Sequence, residues 1–252
     1  MVSFEWYEIT LFVFLVLYLA VTLILAILFF QKYHLVKQNE FLYMGLLVFI
    51  FSLSNTLQWI ISFIVLATTG ITLHPTFLYA IQGISSLSVI FWFLGFHKLV
   101  LSNNPMRYLI TGILISSLII IGFIYYTALF IDYSLIGTLD PKGWTPLTWT
   151  FLTSTLLALA YLVFFSTFLT FVIKALNTPD TKIQLKGKIL LIASILLAVS
   201  ILATFILAFF QGILYWIVTF SIVHVARIVA FILFYIGFTL PKFIEKRFLK
   251  EL

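Results

Sequence analysis

Long apolar runs, each wide enough to cross a bilayer and separated by short polar connections, dominate the chain. Spans of the length a ~30 Å hydrocarbon layer requires lie at about 9–30, 41–68, 76–101, 108–131, 147–173, 189–210 and 216–240. The pattern predicts an all-α, seven-transmembrane-helix bundle, with residues 1–252 forming one membrane domain that ends in a short basic tail at 241–252. All six prolines fall in loops or at helix ends. The spans therefore lack the paired Pro or Gly interruptions that mark discontinuous transporter helices.

Composition reinforces the pattern, since 63% of the 252 residues are hydrophobic and 9% charged, with a mean hydropathy of +1.22. Soluble domains carry far more charge. The first span follows Glu5 and Glu8 rather than a basic start and a small-residue cleavage site, so it is expected to remain in the mature chain. Twelve of the 14 Lys and Arg residues flank the odd-numbered connections and the tail: Lys32, Lys37, Lys98, Arg107, Lys174, Lys182, Lys186, Lys188, Lys242, Lys246, Arg247 and Lys250. The opposite side holds Lys142, against Glu5, Glu8, Asp132 and Asp140. This bias predicts an outside N-terminus and a cytoplasmic C-terminus in the cell membrane. The net charge of +6 thus points to anionic headgroups at the cytoplasmic face, and no nucleic-acid partner is expected.

Three connections carry further expectations. The fourth, Asp132–Pro146, contains Asp140-Pro141-Lys142-Gly143-Trp144 and could cover the outer mouth of the bundle. The fifth, Lys174–Lys188, is read as a polar basic loop open to headgroups or to a cytoplasmic or membrane protein partner. The sixth, around Gln211–Gly212, is so short that the last two helices must be antiparallel neighbours.

Arg227 is the one full charge inside the spans. Its helical rise from Trp216 is roughly 16 Å, which sets it near the midplane. A charge there is a functional-site hypothesis. Polar residues in spans tend to face the bundle interior, so the stripes Ser52, Asn55, Gln58, Trp59 and Ser62, then Tyr79, Gln82, Ser85, Ser86 and Trp92, predict facing polar surfaces. Helix 5 adds Thr150, Thr153, Ser154 and Tyr161, and helix 6 adds Ser200, Thr204 and Gln211. His224 lies one turn before Arg227. The expected site is an outward polar pocket. In it Arg227 anchors a small anionic or amphipathic ligand, His224, Asn55, Gln58, Gln82 and Ser85 orient it, and Trp59, Trp92 and Trp216 form its walls. Phe231 and Phe234 are expected to close it toward the cytoplasm. No acidic residue lies in a span interior, so the Asn55 and Gln82 oxygens, backbone carbonyls, water or a ligand must meet the guanidinium.

Much other chemistry lacks its residues. There is no cysteine, which excludes disulfides, thiolate metal sites and a cysteine nucleophile. His34, His74, His97 and His224 offer no pair at one depth for a haem. No H-E-x-x-H, paired intramembrane aspartates or G-x-S-x-G occurs. No catalytic residues, metal or cofactor are expected, and the chain is not expected to be an enzyme.

The topology resembles that of microbial rhodopsins, but the last span has no lysine, Lys242 coming after its end, which excludes a retinal Schiff base. Two segments, Pro179-Asp180-Thr181-Lys182-Ile183-Gln184-Leu185-Lys186-Gly187-Lys188 and Phe234-Tyr235-Ile236-Gly237-Phe238-Thr239-Leu240-Pro241-Lys242, are similar to the seven-helix sensor regions of prokaryotic histidine kinases and related archaeal membrane proteins. That resemblance implies a receptor-like sensory module, and with no kinase following, a separate signalling partner. The alternatives are a small-anion transporter or channel, and a structural subunit in which neutral oxygens satisfy Arg227 and fix helix register.

Overall fold

The computed structural model describes residues 3–206 and 223–249. Trp216, Gln211 and the short connection at 211–212 lie outside the described residues. The chain forms a helical bundle in which, among the described residues, six helices are long and apolar enough to cross a membrane, at Trp6–Val36, Asn39–Thr69, Pro75–Leu99, Arg107–Ile131, Phe151–Leu176 and Thr181–Ala203. A bent pair, Val223–Thr239 with Lys242–Phe248, supplies a seventh candidate. It is a multi-pass membrane protein.

Local signals explain most boundaries. Helix α1 (Trp6–Val36) starts where the Glu8 carboxylate accepts the Glu5 N–H at 2.7 Å and ends on Lys37, at φ 55°. The second span is α2 (Asn39–Ser52), a π-helical turn (Leu53–Leu57) and α3 (Gln58–Thr69), closed by Gly70 at φ 72°. The third starts at Pro75, whose missing N–H costs nothing at a helix N-terminus. It then breaks at Ser88 into α4 (Pro75–Leu87) and α5 (Val89–Leu99). These irregularities were not legible from Pro and Gly placement, because neither residue causes them. Ser52, Ser54 and Ser88 instead turn their hydroxyls back onto carbonyls of their own helix, which bends helices locally.

After α6 (Arg107–Ile131), the fourth connection contains a 3-10 turn (Tyr133–Leu135) and a two-stranded antiparallel sheet of β1 (Gly137–Leu139) and β2 (Pro146–Trp149). The bundle is thus not purely helical. The next helix, α7 (Phe151–Leu176), starts after the strand rather than at 147, with Thr150 Oγ1 accepting the Thr153 N–H. Helix α8 (Thr181–Ile206) begins eight residues before the expected 189. Asp180 accepts the Lys182 and Ile183 N–H groups at 2.8 and 3.2 Å, an N-cap that carries the polar run Thr181–Lys188 into the helix. Most of the expected basic loop is therefore helical. Helices α9 (Ala226–Thr239) and α10 (Lys242–Leu249) complete the described chain.

Two apolar cores fill the bundle. One gathers Phe29, Met44, Trp92, Phe93, Phe164, Phe168, Phe231, Phe234 and Phe238 toward the ends expected to be cytoplasmic. The other gathers Leu11, Trp59, Phe63, Leu78, Tyr79, Tyr125, Leu129 and Trp144 toward the other face. Ile24, Ile27, Ile120, Phe123, Leu162, Ile195 and Leu202 are exposed on the perimeter, where lipid is the natural solvent. Helices α8 and α9 pack closely: a Cβ on Gly237 would meet Leu190 Cγ at 2.5 Å.

Candidate functional site

Two separate polar clusters lie between the cores, where a single one was expected. The first joins the second and third spans. Gln82 Oε1 accepts from Gln58 Nε2 at 2.6 Å and from Trp59 Nε1 at 3.1 Å, while Gln82 Nε2 donates to Asn55 Oδ1 at 2.6 Å. Asn55 belongs to the π turn, which rotates it toward α4. The expected residues Asn55, Gln58, Trp59 and Gln82 therefore converge, but on each other. Both lone pairs of Gln82 Oε1 are committed, and among the described residues Arg227 donates to Ser200 rather than to Gln82 or Asn55. Ser85 is buried beside this network with its hydroxyl on the Gln82 carbonyl. A recess of about 340 Å³, mouth included, adjoins it between Gln82, Ser85, Tyr125 and Thr153.

The second cluster centres on Arg227. Residues 223–225 wind as a π turn, and the Val223 carbonyl accepts the Ser200 hydroxyl at 3.1 Å. A hydroxyl has one proton, so Ser200 Oγ then presents a lone pair, and Arg227 Nε donates to it at 3.1 Å. This contact ties α8 to the last span, as the expected antiparallel pairing of those helices requires. Tyr18 of α1, Tyr161 of α7 and His224 lie within electrostatic reach of the guanidinium. Tyr18 also faces Ser52 of α2, and Phe14, one turn before Tyr18, stacks on His224 with ring centroids 6.3 Å apart. Tyr18 Oη and His224 Nδ1 are buried with no hydrogen-bond partner among the described residues. Sequence reasoning missed Tyr18 as a site residue. The available signal was the one tyrosine of the first span, near its midplane and one turn before Thr22.

Arg227 itself is half-buried. Among the described residues the two ion pairs are Lys142 with Glu8 and Lys182 with Glu245, so no carboxylate neutralises Arg227. Its two terminal nitrogens are the donors that bind a carboxylate or phosphate bidentately. One turn further along α9, Ala230 and Phe231 line a partly open cavity of about 610 Å³, mouth included, with Phe234, Tyr161, Phe164, Phe168, Leu197 and Ile201. Phe231 and Phe234 thus line a hollow where they were expected to seal one. None of the residues lining this space belongs to the Gln82 network. Trp92 sits behind its wall, edge-on to Phe164 and Phe168 at 5.6 and 5.1 Å, and donates to Thr167 Oγ1 at 2.8 Å. It belongs to the core around the cavity, away from Asn55 and Gln82.

The far end of the bundle is covered. Asp140 folds the connection by accepting the N–H groups of Lys142, Trp144 and Thr145 at 3.0, 2.8 and 2.9 Å. Trp144 is fully buried, edge-on to Phe63 at 4.9 Å. Lys142 reaches the Glu8 carboxylate and the Ser3 carbonyl. Burial raises the Asp140 carboxyl above its ordinary range, against the lowering by its three amide donors. This connection therefore does cover that mouth, as its turn-forming residues suggest.

No family model, curated protein or solved structure matches the chain.

Proposed function

We propose that the chain is a receptor-like or sensory seven-helix module of the cell membrane, N-terminus outside and C-terminus in the cytoplasm. It binds a small amphipathic molecule with an anionic head. The head meets Arg227 and the Tyr18, Tyr161 and His224 side chains, and the apolar body occupies the cavity beside Ala230 and Phe231. The observation that carries this reading is a guanidinium whose partner among the described residues is one hydroxyl, set one turn from an apolar hollow. A permanent cation near the midplane is costly without an anion, and a pocket apolar on its walls with a few convergent polar groups is the usual form of a ligand site. Ligand-dependent movement of α9 against α8 would pass to the basic inner ends and to a separate signalling partner. This retains Arg227 and His224 as ligand contacts, assigns Asn55, Gln58, Trp59, Gln82 and Ser85 to a supporting network, and adds Tyr18 and Tyr161.

The test compares the thermal stability of purified, delipidated protein with a medium-chain fatty acid and with the alcohol of equal length. The acid should raise the melting temperature more, and Arg227→Gln should erase the difference. Equal effects of acid and alcohol on the wild type would rule out the anionic head.

The π turns at 53–57 and 223–225 and the break at Ser88 favour a second reading, a transporter for small anions. Such irregular turns recur at functional sites and supply movable joints. Uptake of a labelled carboxylate by proteoliposomes, abolished by Arg227→Gln, would select it over the receptor.

A further inference from the structure

The segment that follows the last span has a geometry of its own. Pro241 cannot continue α9, Leu240 takes φ 41°, and α10 (Lys242–Leu249) leaves at 81° to the preceding helix. A helix nearly perpendicular to a span lies along the plane of the membrane surface. Phe243 and Phe248 are 70% and 56% exposed, although no polar contact requires them to be. On a 100° helical wheel, Phe243, Ile244 and Phe248 fall on one side, whereas Lys242, Glu245 and Lys246 fall on the other. Arg247 interrupts the apolar side, where its long stem can carry the charge back to the headgroups.

The charges around α10 are mostly of one sign. Glu245 is spent on Lys182 Nζ at 2.7 Å, a bond that pins α10 to the start of α8. Lys186 donates to the Phe238 carbonyl at 3.2 Å, and Lys32 and Lys182 are within electrostatic reach of it. Lys242, Lys246 and Arg247 are exposed. With Glu245 paired to Lys182, α10 presents three exposed cations without an ion pair among the described residues, beside a lysine cluster and next to two exposed aromatic rings.

We infer that α10 is an interfacial anchor that docks Phe243 and Phe248 into the headgroup–acyl boundary and binds anionic phospholipid through Lys242, Lys246 and Arg247. A basic amphipathic helix of this kind binds by buried apolar area plus attraction to acidic lipid. The occupant is lipid rather than protein because the 81° turn lays α10 against the surface the spans themselves define, and because cations and aromatics occur together on it. This inference does not depend on what Arg227 binds.

The absence of cysteine from the chain makes the test clean. Full-length Phe243→Cys protein carrying a spin label is placed in nanodiscs of phosphatidylcholine alone or with phosphatidylglycerol, and label depth is read from oxygen against nickel-complex accessibility. The label should lie within the acyl boundary in the acidic discs and move toward water in the neutral ones. Adding Lys242→Gln, Lys246→Gln and Arg247→Gln should remove that difference, with about fivefold weaker docking per charge. Because these three side chains are exposed, the fold should persist, which the unchanged melting temperature of the variant would verify. A label equally deep in both discs would overturn the role of acidic lipid. A label in water in both would overturn the anchor and leave α10 for a protein partner.

Discussion

Replacing Arg227 by methionine gives a test whose sign separates a ligand-binding role from a structural one. An arginine at the centre of a span costs about 2.5–3.5 kcal/mol on insertion scales, and methionine of similar reach removes that cost. Against it stands the loss of the Nε to Ser200 Oγ bond, 3.1 Å long, worth about 1 kcal/mol. Ser200 keeps the Val223 carbonyl as acceptor, so the variant strands no buried donor there. The net expectation is a ligand-free protein more stable by about 1.5–2.5 kcal/mol. For a chain of this size that raises the melting temperature by roughly 3–10 °C. The assay is thermal unfolding of delipidated wild type and Arg227→Met in one detergent, repeated with the fatty acid, which should stabilise the wild type alone. A melting temperature that falls by a comparable amount without ligand would refute the reasoning, and would mean that Arg227 holds the helices together. Binding sites commonly hold such a destabilising group for the sake of the ligand.

Other perturbations address the supporting framework. Gln82→Leu removes three interhelical hydrogen bonds, each worth about 0.6 kcal/mol in a membrane protein; thermal unfolding should show a loss of about 2 kcal/mol, with the fatty acid response retained. Gly237→Leu forces α9 away from Leu190 and should destabilise by about 1–3 kcal/mol, and pairing it with Leu190→Ala should recover part of that, read by the same melts. The Asp140 carboxyl is raised by burial, so the folded state binds its proton more tightly than the unfolded chain does. The stability it contributes is present at acidic pH and lost as pH rises through the raised value. Melts across the weakly acidic range should show that slope in the wild type and a flatter one in Asp140→Asn.

Some features were legible from residue order because they are local. Apolar runs of span length specify membrane helices regardless of neighbours, since any chain in lipid must satisfy its backbone internally. The Asp140-Pro141-Lys142-Gly143-Trp144 turn announced a structured cover, and Asn55, Gln58, Trp59 and Gln82 announced facing polar surfaces by helical spacing. Asp180 also carried a readable cap, overlooked because the polar run after it looked like a loop.

What residue order could not specify is how each polar group spends its hydrogen bonds. Arg227 and Gln82 both sit in polar stripes, and spacing alone suggested that they meet. Packing decided otherwise: the π turn at 53–57 aims Asn55 at α4, where the Gln82 amide is consumed, and the π turn at 223–225 frees a carbonyl that orients Ser200 toward Arg227. A π turn shifts the angular position of every later residue without any proline or glycine to mark it. The cavity beside Phe231 and Phe234 is likewise a property of five packed segments and of no single one. The sequence by itself therefore determined a membrane bundle with an unneutralised cation at its centre. Only the tertiary structure decided which side chains surround that cation and on which side of it an apolar body can fit, because both depend on interhelical contacts between distant residues.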